Sequence, residues 1–456
     1  MDEKALPSRI PYSCKTSSTM TNRWATAVFG FGGILLLGRD VLLRGLLPRL
    51  AHSHQDQLVA IATQNYSNNS ALNFDWDALP PSRDLVYVPC LEKFQCARLL
   101  LPMDWTAPEE HRLDHEVAIA MIKQPADVSI LDPRYGEHVA HVGVGGPGKQ
   151  GISFLSGPSN AHLSSAINGN EPDGKVFDLV SFDQRGVGLS TPRTSCFEDP
   201  IARQLWHQLG SVYDGIDVSD GLFDQLWART MALGKMCDPG NSTSNALALS
   251  TVATPFVARD LLAMVEKSGE EREKRANEAL ARERGAPHGT AAIPQRLRYE
   301  PGSELLQYWG FSYRAFLGGT FASLYPDRVG RMIVDGCGDW VDNASGEFHG
   351  FLIDTERAWR EFFNLCHAAG PDKCALYDER GPGFAQRAVR DLLDDLEADP
   401  VVVAEDGMLF PEVFSRKDLV RAVFGSLYGP YRSRKWIRLA ETLAALVNGT
   451  VTPAVV

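Results

Sequence analysis

The chain has 456 residues, 44% of them hydrophobic and 22% charged, which excludes wholesale disorder. That length leaves room for about two to four domain-sized units, or one large α/β domain with insertions. A net charge of −12 and the lack of a long Lys/Arg stripe exclude phosphate-backbone binding as the main activity, so nucleic acid is not expected as a partner.

Residues 24–38 (WATAVFGFGGILLLG) form an uncharged run of 15 residues after Lys4, Arg9, Lys15 and Arg23. A membrane span needs about 20 residues, so the run fits a signal peptide or a signal anchor, with residues 1–50 forming that segment and its flanks. Residues 51–84 are read as a polar linker. Five N-x-[ST] sequons follow at Asn65, Asn68, Asn241, Asn343 and Asn448. Each is weak alone. With the apolar segment and the clustered cysteines they favour the secretory pathway, and a product that is secreted or membrane-anchored through residues 24–38. Of eight cysteines, we pair Cys90 with Cys96, Cys196 with Cys237, and Cys366 with Cys374, leaving Cys337 odd and Cys14 in the N-terminal segment. A zinc site at Cys366-His367-x6-Cys374 lacks a second ligand pair, so no metal is expected there.

Strand-like runs appear at 96–102, 116–122, 138–144 and 177–182. Helical periodicity dominates 252–267, and the charged stretch 270–285 reads as a solvated helix or an insertion loop. Two more strands, 305–309 and 332–334, bracket a helix over 313–324. From about 350 onward only helices are expected. The alternation predicts an α/β sheet over 85–345, then a helical region over 346–456.

The strongest chemical signal is YWGFSYR, residues 308–314, which puts Ser312 between an apolar strand and an amphipathic helix. A nucleophile elbow demands that setting: the serine sits on a strained turn at a helix N-terminus, Oγ exposed and the next N–H free for an oxyanion. Gly310 supplies the first glycine of G-x-S-x-G, while Arg314 replaces the second and is expected to crowd the turn or the pocket. The Gly-rich run 143–148 (GVGGPG) follows a strand and could aim a further N–H at an oxyanion. Its match to a P-loop fails at Gln150, where a hydroxyl should bind Mg²⁺. His111 and His115 lack the glutamate of H-E-x-x-H. Residues 183–190 (DQRGVGLS) are read as a turn tied down by Asp183 and Arg185, and Ser190 is not expected to serve as a nucleophile.

The motifs GGPG (145–148), FDLVSFDQRGVGLSTP (177–192), YWGFSY (308–313) and LYPDRVGRMIVDG (324–336) closely resemble the tripeptidyl-aminopeptidase-like, prolyl-aminopeptidase-related branch of the α/β-hydrolase fold. The resemblance runs from about Cys90 to the C-terminus, and EFFNLCHAAGPDKC (361–374) is similar to the cap segment of fungal secreted members. It implies a serine hydrolase without a cofactor, with Ser312 as nucleophile and the Tyr313 and Gly146 amides as oxyanion hole. It also implies a helical cap that selects short peptide N-termini or related amides and esters, tailoring of a secondary metabolite being an alternative.

A hydrolase triad places its acid and its histidine on loops after the last strands. After Ser312 only His349 and His367 remain, and no late strand followed by Asp or His is visible. The expectation is therefore a fold whose C-terminal strands are missing. Three explanations stay open: a truncated chain, a catalytically inactive relative acting as a binding protein, or a displaced triad using Asp335 or Asp339 as acid and His349 or His367 as base. Without a general base, a serine hydroxyl is too weakly acidic to attack at neutral pH.

Overall fold

The computed structural model describes residues 74–450 except 137–139, 170–172, 198, 212–219, 239–245, 285–291, 404–411 and 430–433, all within the unit Asn73–Val456. The readings of 24–38, Cys14, Asn65, Asn68 and Asn241 lie outside the described residues. Among those described, no helix is long and apolar enough to cross a membrane.

Seven strands form one sheet: β1 (Val88–Cys90), β2 (Phe94–Pro102), β3 (Glu116–Gln124), β4 (Ala140–Gly143), β5 (Leu179–Phe182), β6 (Leu306–Phe311) and β7 (Val329–Asp335), in the order β1-β2-β3-β5-β4-β6-β7. Pairing is antiparallel from β1 through β3 to β5 and parallel from β5 through β4 and β6 to β7, so only β1 and β3 oppose the common direction. The apolar run of β3 is buried on both faces, as interior strands of such sheets are. Val117, Ile119 and Met121 face a cluster built from α6 (Thr254–Arg284) and α7 (Tyr313–Leu324), including Leu261, Met264, Leu317 and Phe321. The helix α1 (Gly151–Ser156) packs against β3, β4 and β5 with Ile152 and Leu155 buried outside that cluster, so helices flank both faces of the sheet.

Between these come α2 (Asn160–Asn168), α3 (Pro200–Ser211), α4 (Asp220–Met236) and α5 (Ala246–Ser250). Of the two readings of 270–285, a solvated helix or an insertion loop, the helix is found, though it is neither separate nor solvated on all sides. Its described part continues α6, which runs unbroken for 31 residues; Arg272 is buried and Glu271 and Arg275 are partly buried, while Lys274, Glu278, Arg282 and Glu283 stay exposed. Arg272 pairs with Glu304 at 2.6 Å, Arg275 with Asp178 at 2.6 Å and Glu271 with Lys123 at 2.9 Å. Charges so compensated can be buried without an apolar stripe, which is why periodicity did not show it.

The C-terminal region comprises α8 (Trp340–Ser345), α9 (Thr355–Ala369), α10 (Pro382–Ala398), α11 (Arg416–Leu427) and α12 (Lys435–Val447). Helices α9 to α12 share their own apolar cluster, with Phe362, Phe363, Val389, Leu419 and Leu443 at its centre. The expectation of helices alone is corrected by a short antiparallel ladder, β8 (Val401–Val403) with β9 (Glu412–Phe414); three residues each are too few to show period-two alternation. The three expected disulfides, Cys90–Cys96, Cys196–Cys237 and Cys366–Cys374, are all present, and Cys337 is unpaired and exposed. With its sulfurs bonded to each other, the Cys366/Cys374 pair has no thiolates for zinc.

Candidate active site

Ser312 caps the N-terminus of α7 directly after β6, with φ 55° and ψ −121°. Such a conformation is costly for a non-glycine residue, about 1–3 kcal/mol, and persists only where its surroundings enforce it. Here the Ser312 N–H donates to Asp335 O at 2.9 Å, and its carbonyl accepts from Ala315 N–H at 2.8 Å. Ser312 remains exposed. Gly310 makes the turn possible: a Cβ there would lie 2.5 Å from Arg314 O and from the Tyr308 ring.

The expectation that Arg314 crowds the pocket is corrected. Its side chain is 1% exposed and does not line the cavity beside Ser312. The guanidinium stands 3.9 Å from the Phe182 ring centre, and Nη2 donates to Phe182 O at 2.7 Å. Gly143 supplies the room, since a Cβ there would meet Arg314 Cδ and Nε at 3.1 Å. The small residue that the motif places at 314 has in effect moved to the facing strand. His141, two residues earlier on β4, is fully buried without a hydrogen bond to either ring nitrogen among the described residues. Burial first, and the Arg314 charge second, push its pKa down to about 3. Burial pushes the Asp183 carboxyl up, although it accepts from Ile152 N–H at 3.0 Å and Leu189 N–H at 2.8 Å.

The loop after β4 closes on the serine. A Cβ on Gly145 would meet Ser312 Cβ, Ser312 Oγ at 2.7 Å and Phe311 O at 2.8 Å, so only glycine lets the loop approach this closely. Gly146 follows at φ 131°, a conformation that side chains rarely adopt. Chain connections leave β4 and β6 in opposite directions along the sheet, the chain passing from β4 to β5 on one side and from β6 to β7 on the other. Ligands of open α/β sheets bind at such a switch point, beyond the carboxyl ends of the strands. A cavity of about 700 Å³ lies there, lined by Gly146, Pro147, Ser312 and Tyr313. The Tyr313 N–H belongs to the first turn of α7, whose amides have no partner within the helix.

Thr254, Pro255, Phe316, Phe348 and Phe351 also line this cavity, and sequence reasoning missed all five. Pro255 at the start of α6 was a legible helix-start signal, whereas nothing marked the phenylalanines. The proposed acids and bases are not assembled here. Asp335 contributes its carbonyl to Ser312 N–H, and the Asp339 carboxylate accepts from Val341 N–H and Asp342 N–H as the cap of α8. His349 is exposed near Glu347, and His367 stacks on Tyr377 and contacts Asp378 O through Nδ1 at 3.1 Å. None of the four lines the cavity, and no described hydrogen bond joins Ser312 Oγ to a histidine. Asp342, Glu347 and His349 do gather at the surface, yet both Asp342 oxygens already accept backbone N–H groups, from His349 and Gly350. His111 pairs with Asp114 rather than His115, Gln150 accepts from Ser153 Oγ, and Ser190 is buried, donating to Asp183 O. Arg185 binds Asp260 through two bonds of 2.7 and 2.6 Å, in keeping with a structural role for the 183–190 turn. Of the two described sequons, Asn343 lines the cavity and Asn448 is exposed at the end of α12.

No family profile matches the chain. It is 24% identical over 363 residues to the serine protease Hip1 of Mycobacterium tuberculosis, covering 77% of this chain and 56% of that protein. It is 26% identical over 251 residues to a tripeptidyl aminopeptidase of Streptomyces coelicolor, covering 53% of this chain and 34% of that protein. A tripeptidyl aminopeptidase of Streptomyces lividans matches to the same extent of this chain. The chain is thus distantly similar to serine peptidases, and the match spans about half or less of their length.

Proposed function

We propose that the chain is a serine hydrolase of the α/β-hydrolase type, secreted or membrane-anchored, that cleaves a peptide, amide or ester bond through an acyl-Ser312 intermediate. The observation that carries this reading is the backbone of Ser312, held at φ 55° where β6 meets α7 and open to the cavity at the switch point. Ser312 Oγ attacks the carbonyl. The amides of Tyr313 and Gly146 receive the oxyanion, each such donor contributing roughly 3 kcal/mol of transition-state stabilisation. The leaving group takes a proton as the acyl-serine forms, and water then releases the acid. The helices after α8 act as a cap, and the likeness to serine peptidases supports a peptide substrate.

One observation favours a second reading, a binding protein on the same fold: no described histidine or carboxylate is hydrogen-bonded to Ser312 Oγ. A fluorophosphonate probe separates the two. The hydrolase reading expects labelling of the wild type and none of Ser312→Ala; an unlabelled wild type leaves the binding protein.

A further inference from the structure

We infer that the cavity beside Ser312 selects an uncharged, apolar group on the acyl side of the scissile bond, an aromatic or other bulky hydrophobic residue, and that Phe316, Phe348 and Phe351 set this choice. The inference rests on the hydrolase reading and adds its substrate class. A cavity of about 700 Å³ has room for such a side chain together with its neighbouring backbone. Among the described lining residues there is no Asp, Glu, His, Lys or Arg.

The polar groups present are neutral, and several are already engaged. Tyr313 OH and Thr254 Oγ1 lie 3.2 Å apart, and Thr320 Oγ1 donates to Phe316 O at 2.9 Å. A charged group entering here gives up part of its hydration shell and meets no counter-ion among the described lining residues, which is costly. An apolar group loses only unfavourable hydration.

The walls are aromatic on two sides. Phe316 sits near Tyr313 on α7, and Phe348 faces Phe351 with ring centres 5.7 Å apart at 58°. The Phe351 ring is seated on Gly338, where a Cβ would come within 2.7 Å of its Cε2. Phe348 and Phe351 are each about half exposed, at 50% and 51%, so they offer open ring faces to an incoming group rather than serving as core. The same lining has no carboxylate to hold an N-terminal ammonium. Among these described lining residues recognition therefore runs through a side chain, and N-acetylated ligands probe it without a charged N-terminus.

The test uses the Ser312→Ala chain, where chemistry is absent, and compares binding of the N-acetyl amides of phenylalanine, aspartate and lysine by titration calorimetry or ligand NMR. The phenylalanine derivative is expected to bind at least about tenfold more tightly than either charged one. The double change Phe348→Ala, Phe351→Ala should remove most of that preference, and Phe348→Asp should turn it toward the lysine derivative. Both side chains are half exposed, so the fold survives these changes, and a melting curve checks it. Equal binding of all three ligands, a preference for a charged one, or a preference unaltered in the double variant would overturn the inference. Fluorophosphonate labelling of the wild type is read separately. A phenylalanine preference without labelling removes the hydrolase reading alone, and labelling without the preference removes this inference alone.

Discussion

Replacing Gly145 by alanine probes the site at its tightest point. The added Cβ would stand 2.7 Å from Ser312 Oγ and 2.8 Å from Phe311 O, where ordinary contacts are 3.4–4 Å, and the overlap with Ser312 Cβ is larger still. Ser312 Oγ could turn aside about its own χ1, at the cost of its aim, but Ser312 Cβ and Phe311 O cannot. Phe311 O is a backbone oxygen, and Ser312 Cβ belongs to a residue whose turn is fixed by the bonds to Asp335 and Ala315. The loop and the serine must therefore part by several tenths of an ångström to about 1 Å. Overpacking of this kind costs about 1–3 kcal/mol of stability. A displacement near 1 Å at a reacting atom costs on the order of 10²-fold in rate. The second-order rate of fluorophosphonate labelling should fall about 100-fold, with a modest drop in melting temperature. Gly383→Ala, on α10 with nothing within 4 Å of the added Cβ, serves as control and should change neither. A Gly145→Ala chain that labels at the wild-type rate would refute the close apposition of loop and serine.

Three further outcomes follow from the same geometry. Arg314→Gly restores the motif's second glycine yet should destabilise the chain by about 3 kcal/mol or more, because it empties a filled site and leaves Phe182 O without its donor; unchanged denaturant midpoints would contradict this. The folded chain keeps His141 neutral down to about pH 3, whereas the unfolded chain protonates it below about 6.5, so stability is lost as pH falls through that window by up to about 1.4 kcal/mol per unit. His141→Leu should flatten the difference in urea midpoint between pH 7 and pH 4, and parallel profiles for the two chains would count against it. Opening the Cys196–Cys237 bridge, with a sequence separation of 41, should cost about 4 kcal/mol by loop entropy, against roughly 2.6 kcal/mol for Cys366–Cys374 with a separation of 8; Cys196→Ser melting above Cys366→Ser would reverse that order.

Much of what positions the site was legible because it depends on local rules. The apolar run before Ser312, the helix after it and Gly310 between them mark a strand-turn-helix whatever surrounds them, and the short spacings of Cys90/Cys96 and Cys366/Cys374 pointed to two of the three bridges. What escaped depends on partners distant in sequence. The second half of α6 read as charged on all sides, since the groups that compensate it sit on β3, immediately before β5 and in the segment before β6. Arg314 was expected to crowd the turn or the pocket, but Gly143 on the neighbouring strand supplies its space. Phe348 and Phe351 belong to a single 3₁₀ turn (His349–Leu352) and its cap, too short to show periodicity, so nothing in their spacing tied them to a cavity that Thr254 and Tyr313 also line. The search for acid and base by chain order offered Asp335 or Asp339 and His349 or His367; Asp339 caps a helix, His367 stacks on Tyr377, Asp335 meets Ser312 only through its carbonyl, and His349 lies exposed near Glu347.

The central claim, that Ser312 is acylated, is tested most directly by acid-quenching the wild-type chain during reaction with the p-nitrophenyl ester of N-acetylphenylalanine and mapping its peptides by mass. One acyl group is expected on the peptide that carries Ser312, absent from Ser312→Ala. An unmodified Ser312 peptide, or an acyl group carried elsewhere, would contradict it.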